Sequence, residues 1–358
     1  GGITLSSDGT SLLLDGTAIG GSPDLYAENY DGTSTLPSAT GTNAVAIGKS
    51  AVASGSSGFA SGNGATASGA NSVALSRANT ASGSNSFAFG FSNTASATYS
   101  VAIHGNATAD ETTAIGRNSS GQPANAVTGQ GAMALGGSYA SGADSFAAAI
   151  ANNTSSYGAT GSNSVAMVRN SKASGSDSLA FGRTSQATTS YAVAMGYNCL
   201  SAASYAVALG YQAQATGNNA FAAGASSTYQ ERANATASGA VALGGAYANG
   251  TDSVAIGASA KSTEIGKISF SNDKFSAVGD SQGGLFILRA DTTGATAEAL
   301  TTNNSTAATT NQVVLPNNSV YGFTGTITAR ENSAATNDFA IWEVKGGAVR
   351  GSSASTTA

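Results

Sequence analysis

Residues able to do chemistry are few and scattered in this chain. Its one histidine, His104, stands in "SVAIHG", and its one cysteine, Cys199, stands in "YNCLS". A lone His inside a repeated segment does not build a nucleophile–base pair, so no catalytic residue is assigned. His104 is a candidate ion ligand only if three copies converge on a shared axis; its other reading is a substitution at a turn. Cys199 reads as a small buried thiol. A glycan-cleaving enzyme would pair carboxylates across a groove. Here the acids are dispersed at Asp110, Glu111, Asp144, Asp177, Glu231 and Asp252, and three of them (Asp144, Asp177, Asp252) fall at one recurring turn position. Thr66, Thr80, Thr94 and Thr108 recur as a rank. Such a rank suits ice binding in some solenoids and ladder stability in general. No metal set, cofactor site or enzymatic activity is expected.

What positions these residues is a repeat. Aligned on the large residue that opens "VAIG", the anchors are Val45, Phe59, Val73, Phe87, Val101, Thr113, Met133, Phe146, Val165, Leu179, Val193, Val207, Phe221, Val241 and Val254, mostly fourteen residues apart. Ala follows every anchor, and a second Ala recurs eight residues on, at Ala53, Ala67, Ala81, Ala95, Ala109, Ala173, Ala187 and Ala215. Asn or Asp often stands two residues before the anchor, as at Asn43, Asn71, Asn163 and Asp177. Large-Ala-large is a period-two pattern, so the large residues share one face and Ala takes the other. Gly then ends the strand, and a second short strand carries the second Ala. Each unit is one rung of a parallel β-roll, stacked about 4.8 Å from its neighbours, and fifteen rungs give a rod on the order of 70 Å long.

A rung this short encloses little volume. Ala from both strands fills it, and the large residues then face outward; the inverse assignment is the alternative. A continuous apolar stripe requires cover. The chain is therefore expected to associate with itself through Val45, Ile47, Val73, Leu75, Val101, Ile103, Val165, Met167, Val193, Met195, Val207, Leu209, Val254 and Ile256. Three segments interrupt the array, at 117–131, 152–162 and 226–238. Insertions into a solenoid often serve binding, which makes Tyr157, Tyr229, Gln230 and Arg232 candidate receptor contacts.

Composition agrees with a packed, uncharged array. Only 9% of the 358 residues are charged and 47 are Gly. The net charge of −5 and the lack of a basic cluster exclude a nucleic-acid binder. No apolar run reaches the roughly 18–20 residues of a membrane span. The domain reading is an N-terminal β/turn segment at 1–42, the array at 43–265, an all-β module at 266–350, and a tail at 351–358 that is a mobile end or a truncation point. The opening Gly1-Gly2-Ile3 reads as a processed chain or an internal piece.

The rungs Asn71-Ser72-Val73-Ala74-Leu75, Asn163-Ser164-Val165-Ala166-Met167 and Asp252-Ser253-Val254-Ala255-Ile256-Gly257 resemble the head repeat of trimeric autotransporter adhesins. That resemblance implies a left-handed parallel β-roll, three chains side by side, and an adhesive role. The heptad stalk and barrel strands of that family are not found in these residues. The two ends, "SSDGTSLLLDGTAIGGS" and "LPNNSVYGFTGTITAREN…FAIWEVKGGAVRG", resemble fibre proteins of tailed phages of marine cyanobacteria. Together the two resemblances imply a virion appendage, a phage tail or neck fibre, that meets a host-surface glycan or protein and other virion proteins. The alternatives are the head of a bacterial adhesin or a passive extracellular filament.

Overall fold

The computed structural model describes residues 3–5, 12–14, 17–18, 35–116, 124–148, 156–225, 232–294, 296–331 and 338–353. Among these the chain is all β, with no helix. It divides into two compact units, 1–227 and 228–358.

The first unit is a parallel β-solenoid. Its first strands run from Val45–Ile47 to Phe221–Ala225. They pair in parallel at the repeat offset, so Val45 lies beside Phe59, Phe59 beside Val73, and Val193 beside Val207. The second strands form their own ladder on the opposite side of the roll, Val52 beside Thr66 and Thr66 beside Thr80. Three short strands at Ile3–Leu5, Leu12–Leu14 and Thr17–Ala18 form an antiparallel sheet that precedes the solenoid in the chain.

Local chemistry explains the motif. The Asn/Asp turn position is held in the left-handed region, at φ 55° in Asn71, 54° in Asn163 and 55° in Asp177. Asn and Asp enter that region at least cost among residues with a side chain. The Ser that follows is buried and closes the turn: Ser86 Oγ donates to the Gly83 carbonyl at 2.7 Å, and Ser178 Oγ to that of Gly175 at 2.7 Å. The carbonyl position must be small. A Cβ on Gly69 would run into the carbonyl of Gly83 in the next rung.

One turn changes the register of the columns. After Ile103 the rung is two residues short, and His104 alone makes the turn at φ 53°. The second strand Gly105–Ala107 therefore sets Asn106 beside Thr94 and Ala107 beside Ala95. The Thr rank is Thr66, Thr80 and Thr94 and ends at Asn106; Thr108 is outside it, and Ala109 is outside the Ala column. The interruptions are also shorter than the sequence suggests. Gly158–Ala159 is an ordinary second strand beside Lys172–Ala173, Ala124–Val127 joins the second-strand ladder with a shifted register that sets Ala107 beside Val127, and in the second unit Asn234–Ala235 pairs with Tyr247–Ala248. Most of the inserted residues lie at 117–123, 149–155 and 226–231, outside the described residues.

The second unit continues the pattern with Val241–Leu243 and Val254–Gly257. It then adds a rung the anchors did not include. Ile268–Ser271 pairs in parallel with Val254–Gly257, with Ser269 in the Ala slot. Gly283–Leu285 runs antiparallel to that strand and ends the ladder of this unit. Two 12-residue strands, Ser319–Arg330 and Phe339–Arg350, then form an antiparallel hairpin.

Candidate interaction surface

Burial separates the two faces of each first strand. Ala74, Ala102, Ala194, Ala208 and Ala255 are fully buried, as are the second-strand residues Ala53, Ala81 and Ala187. Ala is thus the core, and the large residues are outside it. Of the fourteen residues expected at a trimer interface, twelve are half-buried; Met195 and Ile256 are 38% and 42% exposed. Parallel pairing aligns them into rows, as with Met167, Phe181, Met195 and Leu209 on successive rungs. Phe89 and Phe181, absent from that set, belong to the same row and are exposed. The large-Ala-large pattern contains them equally, so the signal was present in the sequence.

The interior is polar at a few points. Asn79 and Asn93, both fully buried, fill the slot that Ala51 and Ala65 occupy in earlier rungs. Asn79 Nδ2 donates to the carbonyls of Leu75 and, at 2.7 Å, of Gly90. Its Oδ1 accepts from the Asn93 backbone N–H at 2.9 Å and from Asn93 Nδ2 at 3.0 Å. Nothing in the repeat's apolar spacing marks this amide ladder. Cys199 lies in the same slot, buried, its thiol directed at the carbonyls of Gly210 (3.0 Å) and Met195 (3.3 Å). Burial raises its pKa, and a hydrogen bond from the Ala213 backbone only partly opposes that. A thiol so held is a poor nucleophile.

The outer turns carry aromatic ladders. Tyr191 and Tyr205 stack at 4.8 Å between ring centres, and Tyr197 and Tyr211 at 5.0 Å. The Arg183 guanidinium lies over the Tyr197 ring at 5.5 Å. Tyr191 and Tyr205 occupy the Asn/Asp turn position at φ 60° and 59° and remain exposed.

His104 is exposed, and its ring meets that of Phe89 edge to face at 6.2 Å. Among the described residues no group of three or more His, Cys, Asp or Glu side chains is placed to hold a metal. Tyr157 is half-buried just before Gly158–Ala159, and Arg232 is half-buried just before Ala233. Tyr229 and Gln230 lie outside the described residues.

Six stretches of the chain match the YadA head domain repeat: residues 39–65, 53–75, 81–103, 173–198, 202–227 and 248–265. The array carries repeats of the YadA head type. The matched stretches leave out 104–172 and 228–247. Those are the places where the His104 turn shortens a rung and where the inserted residues fall. No curated protein matches the chain.

Proposed function

We propose that this chain is the subunit of a homotrimeric, non-enzymatic fibre, a virion appendage such as a phage tail or neck fibre displayed at the particle surface. The observation that carries the reading is the row of large residues left outside an Ala core. Fully burying one Val, Leu or Ile contributes about 1.5–3 kcal/mol, so half-covered side chains repeated over many rungs favour association strongly. Three YadA-head-type rolls with these rows turned inward bury them together. Such a fibre has a mechanical function. It holds three copies of its loops and terminal module at a fixed distance from the particle, and weak contacts to a host-surface glycan or protein multiply through trivalency. The resemblance of the two ends to phage fibre proteins favours the virion over a cell surface. The YadA-type repeats by themselves fit equally well a second reading, the head of a bacterial trimeric autotransporter adhesin, exposed at the cell surface.

Labelled full chain added to cyanobacterial cells separates these readings. A host-binding fibre gives saturable binding that reduces adsorption of a phage carrying the same fibre. Saturable binding that leaves adsorption unchanged favours the cellular adhesin. No binding at all leaves a passive filament.

A further inference from the structure

The hairpin of Ser319–Arg330 and Phe339–Arg350 has more apolar surface than two strands can keep in water. Its register places Tyr321 opposite Ala348, Phe323 opposite Gly346, Gly325 opposite Val344, Ile327 opposite Trp342 and Ala329 opposite Ala340 on one face. That face contains no charged residue between Tyr321 and Ala329 or between Ala340 and Ala348. Phe323 and Trp342 are nonetheless 53% and 51% exposed. The other face is mixed: Val320 opposite Val349, Thr324 opposite Lys345, Thr326 opposite Glu343, Thr328 opposite Ile341 and Arg330 opposite Phe339. Its Val320, Phe339 and Ile341 are all exposed. Among the described elements neither strand pairs with a third. A lone two-stranded hairpin is marginal in water.

We infer that this hairpin is covered by other copies of the same chain, so that it is a second self-association element and host contact falls to the loops and the rest of the terminal module. The inference rests on the self-associating fibre proposed above. Area supports it. At about 200 Å² per aromatic side chain, the uncovered apolar groups of the two faces amount to on the order of 700 Å². Each face alone is the size of a functional apolar patch, and the two together approach the roughly 800 Å² per partner of a stable interface. Composition points the same way. A glycan needs several placed hydrogen-bonding groups; the stretch from Tyr321 to Ala329 and its partners offers a phenol and an indole N–H, and at the face's end Ser319 and Arg350 already bond the carbonyls of Pro316 and Leu315. A lipid surface favours a basic rim, whereas Glu343 and Lys345 lie close together on the other face with opposite charges, which suits pairing between identical copies. The same unit exposes further apolar side chains. Leu285 pairs opposite Ile268, beside Phe270, and Leu285 and Phe270 are exposed as well.

Trp342 is the chain's only tryptophan, so its fluorescence reports on this face alone. The test is emission and acrylamide quenching of the full chain, with its mass measured by light scattering on the same sample. The inference expects a multimer whose Trp342 emission is blue-shifted and at least about threefold less quenchable than in urea. It also expects the double variant Phe323→Ser/Ile327→Ser to lose that protection. A multimer with freely quenched Trp342 overturns the inference and leaves association through the roll intact. A monomer with exposed Trp342 overturns both. A monomer with protected Trp342 shows that the hairpin is covered by its own chain, and this too overturns the inference. Should the variant fail to fold, the wild-type quenching and mass decide alone.

Discussion

At the residue scale the roll depends on which slots stay small and which polar groups are satisfied. The Ala columns were legible because Ala at fixed spacing beside a large residue is a period-two signal. The amide ladder of Asn79 and Asn93 was not, because amides in an Ala slot look like ordinary loop residues until the next rung is stacked on them. The Thr rank was misread for a related reason: one residue, His104, does the work of a longer turn and shifts everything after it. Cys199 gives a test at this scale. Burial holds its thiol protonated above the ordinary range. Below an unfolded thiol pKa of about 8.5 both states are protonated and the contribution is complete. As pH rises past that value the unfolded chain releases the proton and the folded chain keeps it, so stability declines up to the folded pKa. Cys199→Ala puts back the residue used at Ala51, Ala65 and Ala213. Its melting temperature is expected to fall less than the wild type's between pH 7 and pH 10, by on the order of 2 °C. Equal slopes would mean that the thiol is not buried as described.

At the element scale the question is how a solenoid stops. In earlier rungs two inner positions hold small residues, as in Gly69 and Ser72 or Gly250 and Ser253. In the last parallel rung the same positions hold Glu264 and Lys267, which pair at 3.0 Å with side chains only 6–7% exposed. Lys267 Nζ also lies 5.3 Å from the centre of the Phe286 ring. Long side chains fit here because the parallel stacking ends: the next strand, Gly283–Leu285, runs antiparallel. This replacement of small by large was present in the sequence, but the anchor rule, which demanded Ala where Ser269 stands, did not include the rung. Removing one partner of a buried pair costs about 3–5 kcal/mol, and removing both costs less. Glu264→Ala is therefore expected to speed hydrogen exchange selectively in residues 250–271, and Glu264→Ala/Lys267→Ala to restore part of the protection. Uniform loss over all rungs would contradict a local end cap.

At the scale of the whole molecule one physical fact underlies the proposed assembly. An Ala core lets the roll be thin, and a thin roll leaves its large residues outside. The sequence carried this conclusion through the alternation alone, and burial of the Ala columns excludes the inverse arrangement. The terminal module was less legible, since the alternation of "VYGFTGTITAR" and "FAIWEVKGGAVR" identifies strands but not what lies against them. The most direct measurement is native mass spectrometry of the full chain at low micromolar concentration, beside a variant carrying Met195→Lys and Leu209→Lys in the exposed row. A homotrimer formed through that row gives three times the chain mass for the wild type, and the single-chain mass with an unchanged β-type circular dichroism spectrum for the variant. A wild-type chain that is monomeric at that concentration, or a variant that stays trimeric, would contradict it.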